Sequence, residues 1–343
     1  MQLTLAPTSQ KSLKLRERNK MPLLSMKPCC SNLDGMRVDT RQAIDRIQAM
    51  KQQEHQYNSL DYFSVYIDTD SRSTLSDLSP STKNTTPQRA DVQCRMKMCE
   101  WCYQVVDYFK FNRETVQISM SYLDRFLATS QGRPYLGDRS GFQLVSIACL
   151  YLAIKVHEPM ELDMLLLAEL SRGCCSVAQI TNMEKVILDA LQWRMNPPTI
   201  GTFVQHIFAL LPSSVPACVR KSLMDVAHYQ TELAIFDYGL SVTSRPSAIA
   251  TAAVINAMEG MDAVSFSSSL KNTCLSHMST MIGFTSCMDG VPECRKRLMR
   301  YLRESPVEII MSAPKRSQPC DLVRQKSSTR SSMGKNSPVA IHQ

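Results

Sequence analysis

The stretch Gly141–Val156, Gly-Phe-Gln-Leu-Val-Ser-Ile-Ala-Cys-Leu-Tyr-Leu-Ala-Ile-Lys-Val, constrains the fold more than any other. Only Gln143, Ser146 and Lys155 interrupt its apolar character. Val145, Ala148, Cys149, Leu152 and Val156 recur at helical spacing, and Ile147, Leu150 and Ile154 make the opposite face apolar too. A helix that is apolar all round has to be surrounded by other elements. The run is short and flanked by charge, so it reads as the central post of a helical domain and not as a membrane span. Ser140 is the expected N-cap, with Gln143 completing a capping box. Lys155 falls where the post should emerge from the core, and a cation there suits a helix C-terminus.

Amphipathic helices are expected around this post. The first covers about Val92–Lys110, with Met98, Trp101, Cys102, Val105 and Phe109 inward. Asn112 can cap a second, about Arg113–Thr129, which turns Val116, Met120, Leu123 and Leu127 to the core. Gly132, Pro134 and Gly137 mark a loop before the post, and Pro159 ends the post. A short helix, about Leu162–Leu170, follows. Ser176 and Gln179 form a capping box that opens a helix running to about Trp193, with Met183, Val186, Ile187, Ala190 and Leu191 as its inner stripe.

Asn196-Pro197-Pro198-Thr199 breaks the pattern and starts a second helical region. Its expected helices are Thr199–Leu211, Pro216–Leu240, Arg245–Glu259, about Val264–Ile282 and Pro292–Leu302. Ala248–Ala257 is small and apolar and reads as a second post. No close sequence repeat relates the two halves. The fold class is therefore all-α, and the scarcity of glycine, 11 residues, with 21 methionines and 7% aromatics favours helices over sheets. Residues 1–36 and 312–343 read as basic tails. Residues 37–90 read as one polar helix, with Ala43, Ile44, Ile47 and Met50 on one face, and a Ser/Thr-rich linker. The linker contains the candidate phosphosites Ser79 and Thr86, each followed by proline; it reads equally as an ordinary linker.

Thirteen cysteines in a chain of 343 residues do not suggest a disulfide framework, and the simpler account is buried thiols in a nuclear or cytosolic protein. Cys99 and Cys102 have no second pair or histidines at zinc-site spacing, so no metal is expected. No signal peptide or membrane span is expected. There is no phosphate-binding loop, dinucleotide glycine pattern, metalloprotease motif or supported catalytic triad. The six histidines read as surface or capping residues, and no cofactor is implied. An enzyme is the poorer hypothesis. The net charge of +8 permits an acidic partner without demanding nucleic acid.

What remains are charges within otherwise apolar helices: Arg95, Asp124, Arg125, Lys155 and Glu184. Arg125 reads as part of a solvated face or of an intrachain ion pair. An inward Asp needs a donor, and Arg supplies a bidentate one. Lys155 and Glu184 could meet where the post and the fifth helix end. A surface Lys–Glu pair adds little to stability, but it can offer a partner a fixed donor and acceptor.

Together, Arg95, Glu100-Trp101, Ser121–Leu127, Phe142–Lys155 and Met183-Glu184 through Trp193 resemble the cyclin box. The family's Arg, Asp, Leu, Lys and Glu fall on Arg95, Asp124, Leu144, Lys155 and Glu184, in order. The match covers about Asp91–Pro198, and the region 199–311 is similar to the C-terminal cyclin fold in helix plan. The resemblance implies two tandem five-helix folds. It also implies a non-catalytic subunit that activates a cyclin-dependent Ser/Thr protein kinase in cell-cycle control, in nucleus and cytoplasm. Lys155 and Glu184 would contact the kinase's mobile helix, Arg95 and Asp124 would tie the first two helices together, and Leu144 would belong to the core. Trp193 and the Leu-Asp-Arg-Phe-Leu run look closest to D-type cyclins. The L-x-C-x-E motif of many D-types is absent, and so is an N-terminal destruction box.

The resemblance also implies a substrate- or inhibitor-docking shelf on Cys94, Lys97, Met98, Trp101 and Gln104. It departs from the family there, because Lys97 replaces an apolar residue and Gln104 an acidic one, changes that weaken docking of apolar peptides. The alternative function is a nucleic-acid-bound transcription factor with tandem cyclin folds. That would want a basic face and a zinc ribbon, for which Cys29-Cys30 is unsuited.

Overall fold

The computed structural model describes residues 40–64, 89–283 and 290–303, and among these every regular element is a helix. Ser79, Thr86 and both expected tails lie outside the described residues. Helix α1 (Thr40–Glu54) precedes the first half, which comprises α2 (Val92–Phe109), α3 (Glu114–Leu127), α4 (Arg139–His157), α5 (Met164–Leu170) and α6 (Val177–Ala190). The second half comprises α7 (Ile200–Ala209), α8 (Ala217–Phe236), α9 (Tyr238–Thr243), α10 (Pro246–Gly260), α11 (Ser268–Ile282) and α12 (Val291–Arg303).

Helix α4 is the first post. Phe142, Val145, Ile147, Ala148, Cys149, Leu150, Leu152, Ala153 and Ile154 are buried, chiefly against α3 and α6. By length and composition alone its 19 residues could cross a membrane, but most of the helix is buried inside the fold, as a core post is. The cap also differs. Asp138, in extended conformation, accepts from Ser140 N at 3.2 Å and Gly141 N at 2.9 Å, so Ser140 already lies within the helix. Gln143 is buried instead of reaching back to the cap. Leu144 is only half-buried and packs at the edge of the core. The capping box of α6 forms in full: Ser176 Oγ accepts from Gln179 N at 3.3 Å, and Gln179 Oε1 accepts from Ser176 N at 2.8 Å.

Helix α10 is the second post, buried from Ser247 to Met258 among α7, α8 and α12. Pro246 occupies its first turn, where a missing N–H costs nothing. Ser247 donates from N (3.0 Å) and Oγ (2.7 Å) to the buried carboxylate of Glu54, at the end of α1. A carboxylate there suits the positive end of a helix. Helix α1 thereby belongs in space to the second half, packing on α7, α10 and α11.

The expected single helix from Pro216 to Leu240 is broken at Asp237, whose backbone is extended. The Asp237 side chain caps α9 by accepting from Leu240 N at 3.1 Å. It is held as well by Arg297 of α12, with contacts of 2.9 and 2.5 Å. Gly239 lets the Arg297 guanidinium come close: a Cβ on it would sit 2.5 Å from that group and would make the arginine tip shift. The break frees the carbonyl of Ile235 from the helical ladder, and another side chain takes it up.

Candidate functional site

That side chain is Arg95, on α2, which is completely buried. It forks onto Asp124 of α3, with Nε to Oδ1 at 2.8 Å and Nη2 to Oδ2 at 2.7 Å. Its other donors reach the second half: Nη1 to Ile235 O and Nη2 to Ser241 Oγ, both at 2.8 Å. Tyr62 OH donates to Asp124 Oδ1 at 2.9 Å, and Ser59 Oγ donates to Asp124 O at 2.8 Å. The pair thus joins α2, α3, α8, α9 and the segment after α1, more than the two helices expected. Burial alone would lower the pKa of Arg95, but the charge of Asp124 and its hydrogen bonds outweigh that and raise it. Burial, with the Asp124 charge adding, pushes the Tyr62 phenol well up.

The second pair sits at the rim. Lys155 Nζ, in the last turn of α4, donates to Glu184 Oε1 on α6 at 2.7 Å. The Lys155 side chain is 51% exposed and that of Glu184 11%. The carboxylate is thus fixed in a wall while the ammonium faces outward. The hydrogen bond to Glu184 raises the Lys155 pKa, with burial opposing slightly. The ammonium also lies 5.7 Å from the centre of the Tyr151 ring. Exposed apolar side chains flank the pair along the chain: Val156, Met160 and Leu165. Trp193 is 68% exposed, on a left-handed residue just beyond α6. The segment after it is tied back to the post, because Met195 O accepts from His157 Nε2 at 3.1 Å and from Tyr122 OH.

The docking shelf is not a surface. Cys94 is completely buried, and Met98 and Trp101 are buried as well; only Lys97 and Gln104 are half-exposed. Positions 94, 98 and 101 form the core stripe of α2, so the residues that would make an apolar shelf already serve the interior. Arg125 is likewise not on a solvated face. It is buried, donates to Arg194 O at 3.0 Å, and lies 4.7 Å from the Tyr57 ring centre. His206 is buried rather than superficial. Among the described residues, no group of three or more His, Cys, Asp or Glu side chains is placed to hold a metal ion. Tyr62 and Ser59 escaped the sequence reading. The signal that could have found them is the aromatic pair Tyr62-Phe63, an apolar island in a polar segment.

Tandem helical folds are thus locked by a buried ion pair, and a second pair is displayed at the rim. The model for the cyclin N-terminal domain matches residues 61–196, and that for the cyclin C-terminal domain matches residues 198–331. The chain belongs to the cyclin family. It is 33% identical over 124 residues to the G1/S-specific cyclin-E of Drosophila melanogaster, covering 34% of this chain and 17% of that protein. It is 34% identical over 122 residues to cyclin-D3-3 of Arabidopsis thaliana, covering 34% and 32% respectively. With cyclin-D4-1 of Oryza sativa subsp. japonica it shares 31% identity over 231 residues, 65% of this chain and 62% of that one. The chain therefore spans less than two thirds of the length of each of these three relatives.

Proposed function

We propose that this cyclin is a non-catalytic regulatory subunit that binds and activates a cyclin-dependent Ser/Thr protein kinase in cell-cycle control. The observation that carries the reading is the Lys155–Glu184 pair, formed at 2.7 Å with its ammonium half in solvent. The wall-fixed carboxylate orients the ammonium, and together they offer a donor and an acceptor to the backbone of a partner helix. A kinase needs its own Lys–Glu pair assembled before phosphoryl transfer. A subunit that binds the assembled state better shifts the population toward it.

Moving such an equilibrium from mostly off to mostly on takes a differential of about 5.5 kcal/mol. A surface ion pair supplies about 1 kcal/mol at most. The pair therefore sets register, and the exposed Val156, Met160, Leu165 and Trp193 supply apolar contact area. The run of residues around Asp124 and Trp193 favours a D-like or divergent type, acting in nucleus and cytoplasm.

The test is reconstitution of the full chain with purified cyclin-dependent kinases and measurement of substrate phosphorylation. Stimulation is expected with at least one kinase, and it should fall at least about tenfold for Lys155→Ala and for Glu184→Ala. Equal stimulation by both variants would remove the site. No stimulation of any kinase in a complete panel would remove the function.

A further inference from the structure

A cavity of about 150 Å³ opens at the seam between the two halves, lined from α2, α3, α7, α8 and the turn before α3, and by none of the four residues of the two ion pairs. A space of that size holds a benzene-sized group. Its charged lining is Arg113, Glu114 and Glu232. Arg113 is committed. It donates to both oxygens of Glu232, at 2.7 and 2.9 Å, and to Asp107 at 2.5 and 2.6 Å, and lies 4.5 Å from the centre of the Tyr103 ring. One guanidinium thus faces two carboxylates, and Glu114 adds a negative charge that no cation pairs among the described residues. Glu114 Oε1 accepts from the hydroxyls of Thr199 and Thr202, the latter at 2.7 Å. Its Oε2 accepts from no donor among the described residues, and the Gln117 side chain and the His228 ring form no hydrogen bond among them. Burial lowers the His228 pKa from 6.5, against the charges of Glu114, Glu232 and Asp225, so the ring is neutral at neutral pH and the cavity stays negative.

Gly201 keeps this space open. It lies within α7, where glycine weakens a helix, and crowding does not call for it. A Cβ on it would stand 3.4 Å from Glu114 Oε1 and 3.9 Å from His228 Cε1, which are ordinary contact distances. One open carboxylate oxygen suits a point cation. A guanidinium fork wants two parallel oxygens of one carboxylate, and here Oε1 is taken. An ammonium directs three donors, for which Glu114 Oε2 and the Gln117 side-chain carbonyl are acceptors. Tyr103 and Ile235 give an alkyl stem an apolar wall.

We propose that this cavity receives a lysine side chain of a partner peptide, with its ammonium on Glu114 and Gln117 and its stem along Tyr103 and Ile235. The inference does not rest on kinase activation, and its test needs no kinase.

The experiment follows the Ile235 methyl signal of the full chain by NMR while a short glycine–serine peptide with one central lysine is added. Parallel arms replace that lysine by Nε-acetyllysine or arginine, and one arm uses spermidine at equal ionic strength. A saturable shift with the lysine peptide is expected, at least about tenfold weaker for the acetylated form, which has lost the charge. The arginine peptide should also bind more weakly. Glu114→Gln keeps an acceptor for Thr199 and Thr202 and should weaken binding at least about tenfold. Gly201→Ala narrows the cavity; it should keep the circular dichroism of the parent and weaken binding at least about threefold. No saturable shift, or equal binding of the acetylated peptide, would overturn the proposal. So would unchanged affinity in Gly201→Ala. Equal binding of the arginine peptide would overturn the choice of lysine, and tighter binding of spermidine would overturn the peptide and assign the cavity to free polyamines.

Discussion

The molecule uses the same chemistry, a basic and an acidic side chain about 2.7 Å apart, in two opposite settings. Arg95–Asp124 has side chains 0% and 3% exposed, while Lys155 at the rim is 51% exposed. Inside, every donor and acceptor must find a partner, so the pair gathers Tyr62, Ile235 and Ser241 around it. At the rim, water can satisfy what the protein leaves open. The buried pair is thus a fastening that joins both halves and the N-terminal segment. The rim pair costs little to rearrange and is available to another molecule. The residue types follow the settings. Arginine's planar fork serves the enclosed network, and the hydrated, flexible ammonium of lysine serves the surface.

The largest effect should come from leaving one buried charge alone. Arg95→Ala should destabilise the protein by about 3–5 kcal/mol, because Asp124 stays in the core uncompensated. Urea denaturation followed by circular dichroism measures it. The combined Arg95→Met, Asp124→Leu variant should recover much of that loss, since no charge is left to desolvate. A double variant as unstable as the single one would mean the pair acts by geometry alone. Next in size is Tyr62→Phe, which removes one hydrogen bond to a buried carboxylate and should cost about 1.5–3 kcal/mol in the same assay. A change near zero would separate the N-terminal segment from the fastening.

These two sites also show what could be read from sequence. The first post is exposed by hydrophobic period and the α6 capping box by residue type at a fixed offset. The pairing of Arg95 with Asp124 is legible only through the resemblance to the cyclin box, and that of Lys155 with Glu184 only as two charges that could meet at helix ends. The third-party contacts are not local. Tyr62 meets Asp124 across 62 positions, and Glu54 meets Ser247 across 193. Asp237 stops α8 through Arg297, 60 positions away, so helical period simply ran through the break. The shelf failed for a different reason. Cys94, Met98 and Trp101 satisfy an apolar-surface pattern and a core stripe equally well, and only packing decides between them. Arg125 reads as solvent-facing by residue type, yet Tyr57 covers it.

At the rim, Lys155→Ala and Glu184→Ala should each change stability by no more than about 1 kcal/mol while lowering kinase stimulation at least about tenfold. Thermal unfolding beside the reconstitution assay checks both. A loss of several kcal/mol would erase the contrast between the two pairs. Alkali offers a finer cut. The folded state raises the Lys155 pKa above its ordinary 10.5, through Glu184. Its small contribution is therefore complete below that value and is lost as pH rises through the folded one. Denaturation midpoints of wild type and Glu184→Gln should accordingly converge in alkali.

The smallest effect belongs to a charge that burial excludes instead of pairing. His206, buried on α7, has its pKa lowered from 6.5 by burial, with the charge of Arg46 adding. As pH falls through 6.5 the unfolded chain takes a proton that the folded chain refuses. Stability must therefore fall with pH in that window, and level off once the folded imidazole also protonates. His228, also lowered by burial, contributes in the same direction, opposed by Glu114, Glu232 and Asp225. His206→Leu should remove one of the two contributions and flatten the loss between about pH 6.5 and 5, by about half a kcal/mol or less. Denaturation midpoints of variant and wild type, measured across that range, decide it. A parallel offset between the two curves would mean that His206 is neutral or charged equally in both states. A smaller slope in the variant would show that this half of the molecule holds an imidazole by desolvation, where the first half holds a guanidinium by pairing.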